Sequence, residues 1–181
     1  MAVDDMHRDR LASRIAVTDR AKFPGADALA QEASLTLIRA FGTLNTLIDE
    51  YLALFGLTRT RLHVLAFLNH EEGDVRMTDI GGWLGVSKAY VTSLVDGLER
   101  EGLVERVASS SDRRATFIAV TSAGRARLNE VLPRHLEHLG QLWAGLDDDE
   151  KIVLTHLLAK TRSKLLEASG KAERPQPAFP T

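Results

Sequence analysis

Two short helix patterns on either side of one glycine turn constrain the fold of this chain more than any other feature. The run is Val75-Arg76-Met77-Thr78-Asp79-Ile80-Gly81-Gly82-Trp83-Leu84-Gly85-Val86-Ser87-Lys88-Ala89-Tyr90-Val91-Thr92. It opens as a short strand. Thr78 then has the side-chain oxygen to cap a first helix, Gly85 the backbone freedom for a tight turn, and Ser87 the oxygen to cap a second helix. In the second helix Val91, Leu94, Val95 and Leu98 fall at i, i+3, i+4 and i+7, one buried stripe. The opposite face carries Ser87, Lys88, Ala89, Tyr90, Thr92 and Ser93, all small or hydrogen-bonding. A face that meets only solvent is usually richer in Glu and Lys. This polar, lightly charged face suits base edges in a major groove.

A basic hairpin follows. Gly102 supplies a C-cap, Leu103-Val104-Glu105-Arg106-Val107 reads as one strand, and Ala115-Thr116-Phe117-Ile118-Ala119-Val120 returns as the second. The polar tip between them ends in Asp112-Arg113-Arg114. Adjacent arginines are poor core material and a good probe for phosphates or a narrow minor groove. Asp112, two residues before Arg114, has the reach to pair with it and fix the guanidinium's direction. Taken alone, the tip also fits a solvated turn that keeps a sheet edge soluble. Its place directly behind a helix-turn-helix pattern favours DNA.

Over residues 30 to 166 the chain resembles the MarR family of bacterial transcription regulators, which are winged helix-turn-helix dimers. The likeness rests on Leu57-Thr58 opening a helix, Val75-Arg76-Met77, and Leu84-Gly85-Val86-Ser87 at the turn. It continues through the run from Thr92 to Val104, the wing Asp112-Arg113-Arg114, and Val120-Thr121-Ser122-Ala123-Gly124 opening the next helix. The resemblance implies that the wing's Asp-x-Arg, here Asp112 and Arg114, places an arginine in the minor groove. Two departures stand out. Gly81-Gly82 replaces the family's usual helix formers, at a cost of about 1 kcal/mol per glycine relative to Ala, which implies a looser helix or a close approach to a neighbour. Ser93 stands where the family often has a long basic residue.

Composition agrees with a small cytoplasmic regulator. The 181 residues suffice for a packed core in one domain or two merged ones. No cysteine is present, which removes disulfides and thiolate chemistry. There is no signal-peptide apolar region and no apolar run of 18 residues, which argues against secretion and membrane spanning. The net charge of −2 argues against indiscriminate binding to nucleic acid. From Arg76 to Arg127, however, eight Lys/Arg face six Asp/Glu, so basic charge concentrates in the reading segment.

The remainder reads as helix, giving a mainly α chain with a small β wing. Residues 27 to 54 carry a stripe of Leu37, Ile38, Phe41, Leu44, Ile48 and Leu52. Thr58 caps a helix reaching about His70, with Leu62, Leu65, Ala66 and Phe67 inward. Thr121 or Ser122 starts a helix through Trp143, with Leu128, Leu132, Leu136, Leu139 and Leu142 on its packed face and Pro133 kinking or breaking it. Asp147 and Glu150 have capping-box spacing before a last helix bearing Ile152, Leu154, Leu157, Leu158 and Leu165. These apolar stripes exceed what one winged domain covers, which favours an intermolecular bundle and a C₂ homodimer over packing within one chain. The expected divisions are an arm at 1–25, either frayed helix or strap across a partner; dimerisation helices at 26–56 and 122–168; a winged helix-turn-helix at 57–121; and a disordered, proline-bearing tail at 169–181.

Catalytic patterns are missing from the sequence. His135 and His138 are spaced as a metal pair, but without cysteine or a third ligand they read as a solvated or dimer-facing pair. Asp147-Asp148-Asp149-Glu150 complements a helix dipole, and there is no phosphate-binding glycine loop or nucleophile elbow. No enzyme, metal or cofactor is expected. The resemblance implies a cleft for small aromatic or phenolic anions, with Arg39, Tyr51, Arg61 and His63 as candidate lining groups near Phe41, Phe67 and Trp83. On the residues alone, Phe41 and Phe67 also read as plain core and the arginines as surface. The resulting expectation is a dimeric repressor that binds double-stranded DNA and itself and is released by such an effector. An adaptor or anti-repressor keeping the winged fold without DNA binding is the alternative, though it has no need of Arg113 and Arg114.

Overall fold

The computed structural model describes residues 9–71, 74–108 and 116–170. The chain divides into two compact units, Met1–Tyr51 and Leu52–Thr181.

The first unit contains helix α1 (Arg10–Lys22) and most of α2 (Ala28–Ala53). Asp9 caps α1, its carboxylate accepting from the Leu11 and Ala12 N–H groups at 3.1 Å each. The same carboxylate accepts from Arg39 Nε of α2 at 2.7 Å, and Asp19 accepts from Gln31 at 2.6 Å. Within the described residues these bonds accompany a capped helix of 13 residues. Its buried face is Ala12 and Ala16, while Leu11, Ile15 and Val17 point outward. The expected α2 stripe is covered only towards its C-terminal end: Ile48 and Leu52 are buried, whereas Leu37, Ile38 and Phe41 are exposed.

The second unit holds α3 (Arg59–His70), α4 (Met77–Leu84), α5 (Lys88–Arg100), strands β1 (Val104–Ala108) and β2 (Thr116–Val120), α6 (Ser122–Leu142) and α7 (Asp148–Ala168). The fold is mainly helical with one small antiparallel sheet. Leu62 and Leu65 of α3, Ile80 of α4, Val91, Val95 and Leu98 of α5, and Leu128 and Val131 of α6 are fully buried. Val104 and Ile118 add the inner face of the sheet, whose register pairs Val104 with Val120 and Ala108 with Thr116.

Caps fix most helix starts. Thr58, Ser87 and Thr121 accept from the N–H groups of Arg61, Tyr90 and Gly124, and Asp147 and Glu150 exchange reciprocal bonds of 2.8 and 2.9 Å at the start of α7. Three expectations need correction. Thr78 does not cap α4; the cap position is Arg76, two residues earlier, and the Asp79 carboxylate reaches back to the Arg76 N–H at 2.8 Å. The strand expected at Val75 reduces to one bond, Ile118 N–H to the Val75 carbonyl at 2.8 Å. Leu136 is exposed, with Val131 and His135 buried instead. Residues spaced by four drift about 40° per step around a helix, whereas 128, 131 and 135 stay on one line. Helix α6 runs through Pro133 without a break. Helix α7 has no buried side chain.

Candidate nucleic-acid interface

The reading segment folds as two helices set by glycine. Gly85 adopts φ +71°, and the Gly85 and Val86 N–H groups both donate to the Gly81 carbonyl, at 3.0 and 3.2 Å. That turn delivers α5 against α4. A Cβ on Gly81 would sit 3.3 Å from Val91 Cγ2, so the first of the paired glycines serves a close approach. Gly82 has nothing within 4 Å of its Cβ direction.

With Val91, Val95 and Leu98 buried, α5 turns Ser87, Lys88, Ala89, Tyr90 and Ser93 to the exterior. Leu94 and Thr92 are half-buried, and the Thr92 hydroxyl donates to the Lys88 carbonyl at 3.0 Å. A shallow groove runs along this face, lined by Lys88, Ala89, Thr92, Ser93, Asp96 and Arg100. A second lies beside it, lined by Met77, Thr78, Gly81, Gly82, Val86 and Lys88. The sequence places the first four groove residues together. It misses Asp96 and Arg100, which continue the i+4 row of Lys88 and Thr92 and are legible as such.

Asp96 and Glu99 are not loose charges. Arg106 of β1 donates through Nη2 to Asp96 at 2.5 Å and through Nη1 to Glu99, while the Arg106 backbone N–H donates to the other Glu99 oxygen at 3.3 Å. The Asp96 hydrogen bond, assisted by the Glu99 and Asp96 charges, raises the guanidinium's pKa against its desolvation. Beyond β1, Asp112, Arg113 and Arg114 lie outside the described residues; their strands are present on both sides in register.

The candidate effector groups have definite partners. Arg39 pairs with Asp9 in the first unit, where Tyr51 is half-buried. In the second unit Arg61 forms an ion pair with Glu101. Phe67 is buried and stacks on Trp83 at 4.8 Å, and His63 meets the same indole edge-on at 6.2 Å. Desolvation, then the Arg59 charge, holds the His63 imidazole below its usual pKa. Phe41 is exposed rather than core. His135 is buried rather than solvated, and desolvation, followed by His63 and His138, lowers its pKa. No group of three His, Cys, Asp or Glu among the described residues could hold a metal ion.

Comparison with known proteins accounts for this arrangement. A family model described as the MarR family matches residues 55–115. The HTH-type transcriptional regulator MhqR of Bacillus subtilis (strain 168) is 31% identical over 126 residues, spanning 70% of this chain and 86% of MhqR. This chain belongs to the MarR family. Among solved structures, the MepR–DNA complex of S. aureus aligns with TM-score 0.65 and 23% identity over 73% of this chain and 95% of MepR. CouR from Rhodococcus jostii RHA1 bound to p-coumaroyl-CoA aligns with TM-score 0.62 and 24% identity over 86% of this chain and all of CouR. Both share the fold. As a MarR protein the chain is a DNA-binding transcriptional regulator and not an enzyme. Among the described residues, no helix is long and apolar enough to cross a membrane.

Proposed function

We propose that this MarR protein is a homodimeric repressor that reads a pseudo-palindromic operator with α5 and the wing and is released by a small aromatic or phenolic anion. The observation that carries the reading is the two-sidedness of α5. Its apolar side is spent on the core, and its N-terminal outer side offers Ser87, Lys88, Ala89, Tyr90, Thr92 and Ser93, among which Lys88 carries the one charge. Such a face discriminates base edges by hydrogen bonding, while Arg113 and Arg114 at the wing supply phosphate and minor-groove contacts, with Asp112 orienting Arg114.

Dimerisation is supported by α7, whose 21 residues bury nothing yet expose Ile152, Val153, Leu157, Leu158 and Leu165. An apolar helix face of that length needs a second surface. The effector is supported by analogy with CouR, whose structure is bound to p-coumaroyl-CoA. Arg39 and Tyr51 in the first unit, and Arg61 and His63 in the second, are the groups to test one by one for a part in its binding. Arg39 and Arg61 would each exchange an existing carboxylate partner for the ligand's anion. A gel shift against the DNA upstream of the protein's own gene, with and without aromatic acids, tests all parts together. A retarded dimer complex dissolved by an aromatic acid is expected. Failure to retard that DNA, or any operator selected from random sequence, would overturn the reading.

A further inference from the structure

The acidic end of the reading helix poses an electrostatic problem. From Lys88 to Ala108 the chain carries three cations, Lys88, Arg100 and Arg106, against four carboxylates, Asp96, Glu99, Glu101 and Glu105. Asp96 lines the same groove as Lys88 and Thr92, so DNA approaching along α5 brings phosphates towards a carboxylate. At 0.1 M salt that repulsion reaches about 10 Å. Two arginines from other elements meet this end of the helix: Arg61 of α3 takes Glu101, and Arg106 of β1 takes both Asp96 and Glu99. The Asp96 and Glu99 side chains are 45% and 36% exposed, so their charge would otherwise face solvent and DNA.

We propose that Arg106 is a positioning residue that offsets part of the negative charge of Asp96 and Glu99 on the groove side of α5, so that the groove accepts a phosphate backbone. The inference rests on α5 being the reading helix. It assigns Arg106 no contact with DNA. The guanidinium is committed to two carboxylates on one side, and its backbone N–H binds Glu99 as well. The geometry also ties the root of the wing to the reading helix. A purely mechanical tie and a charge mask therefore make different predictions.

Full-length protein and one operator fragment, titrated by anisotropy between 0.05 and 0.5 M salt, separate them. Arg106→Gln should weaken binding about tenfold at low salt and make the salt slope shallower by about one unit. The deficit should shrink as salt rises. Adding Asp96→Asn to that variant should restore binding to within about threefold of wild type. Asp96→Asn with Glu99→Gln and Arg106 intact provides a second measure should Arg106→Gln melt: a mask predicts binding as tight as wild type or tighter, a mechanical tie predicts weaker. A weak double variant R106Q/D96N with normal melting overturns the mask, as does loss of affinity in D96N/E99Q. If Lys88→Ala and Thr92→Ala also leave binding unchanged, it is the assignment of α5 that has failed, and the mask falls with it.

Discussion

A Cβ placed on Gly124 would lie 2.0 Å from the Leu103 carbonyl oxygen and 2.8 Å from Val120 Cγ2. The first turn of α6 is thus pressed onto the end of the hairpin. Two bonds hold it there: the Thr121 hydroxyl donates to the Gly102 carbonyl at 2.6 Å, and the Thr121 N–H donates to the Leu103 carbonyl at 3.1 Å. The carbonyl is backbone and has no rotamer by which to retreat. Gly124→Ala should therefore destabilise the second unit by about 3 kcal/mol, the upper end of overpacking costs, measured by urea denaturation. Gly82→Ala should do the reverse. Its Cβ meets nothing within 4 Å, so removing a helix-interior glycine should stabilise by up to about 1 kcal/mol. A destabilised Gly82→Ala would mean that α4 is more crowded than this geometry allows.

The starts of α3, α5, α6 and α7 were legible because a cap is a local event, with donor and acceptor three residues apart. Thr78 misled because the Asp79 carboxylate reaches back to the Arg76 N–H and fixes the helix start there, which puts Thr78 inside the first turn. Helix α1 was obscured because alanines, not leucines, form its buried face. The N-terminal face of α5 was legible from helical period alone. The Arg106 cluster was not: ten residues separate it from Asp96, and the turn at Gly102, which folds β1 back beside α5, brings the two together.

The wing and the reading helix should fail in different ways. Arg114→Ala should weaken operator binding by about 1–3 kcal/mol with melting unchanged, as a minor-groove arginine would. Arg113→Ala should lower affinity on every sequence and reduce the salt slope by about one unit, as a lost phosphate contact would. Lys88→Ala and Thr92→Ala should instead reorder the preference among operator variants. For Thr92 the hydroxyl already donates to the Lys88 carbonyl, which leaves its lone pairs and methyl for the base. Uniform loss across all variants would remove Lys88 and Thr92 from base reading.

Protonation of His135 should destabilise the fold rather than switch it. The ring is buried, its Nδ1 has no hydrogen-bond partner, and His63 and His138 both oppose a charge there. Its pKa is therefore lower in the folded chain than in the unfolded one. The unfolded state binds more protons as pH falls below the ordinary histidine value of about 6.5, so stability is full above that pH and declines beneath it. His63, also shifted down, adds a decline of the same sign. His135→Leu should flatten the dependence of melting temperature on pH between about 7 and 5. An unchanged profile in that variant would place the acid sensitivity elsewhere.

Assembly and operator geometry should stand or fall together. Two reading helices related by a two-fold axis enter successive major grooves on one DNA face only if the half-sites lie about 10 bp, or roughly 34–36 Å, apart. The exposed apolar face of α7 is the candidate for setting that distance. Leu157 and Leu158 are 56% and 39% exposed in the single chain, so charging them costs the protomer little core. Leu157→Glu with Leu158→Glu should therefore give a folded monomer by sedimentation, and footprinting on the same samples should lose the full-length operator. Each monomer then contributes one half-site's contacts without the second half-site held at an effective concentration by its partner. The expected drop is thus far larger than the loss of any single base contact. A well-folded monomer that still protects both half-sites with wild-type affinity would defeat the dimer, since nothing else would then fix the spacing.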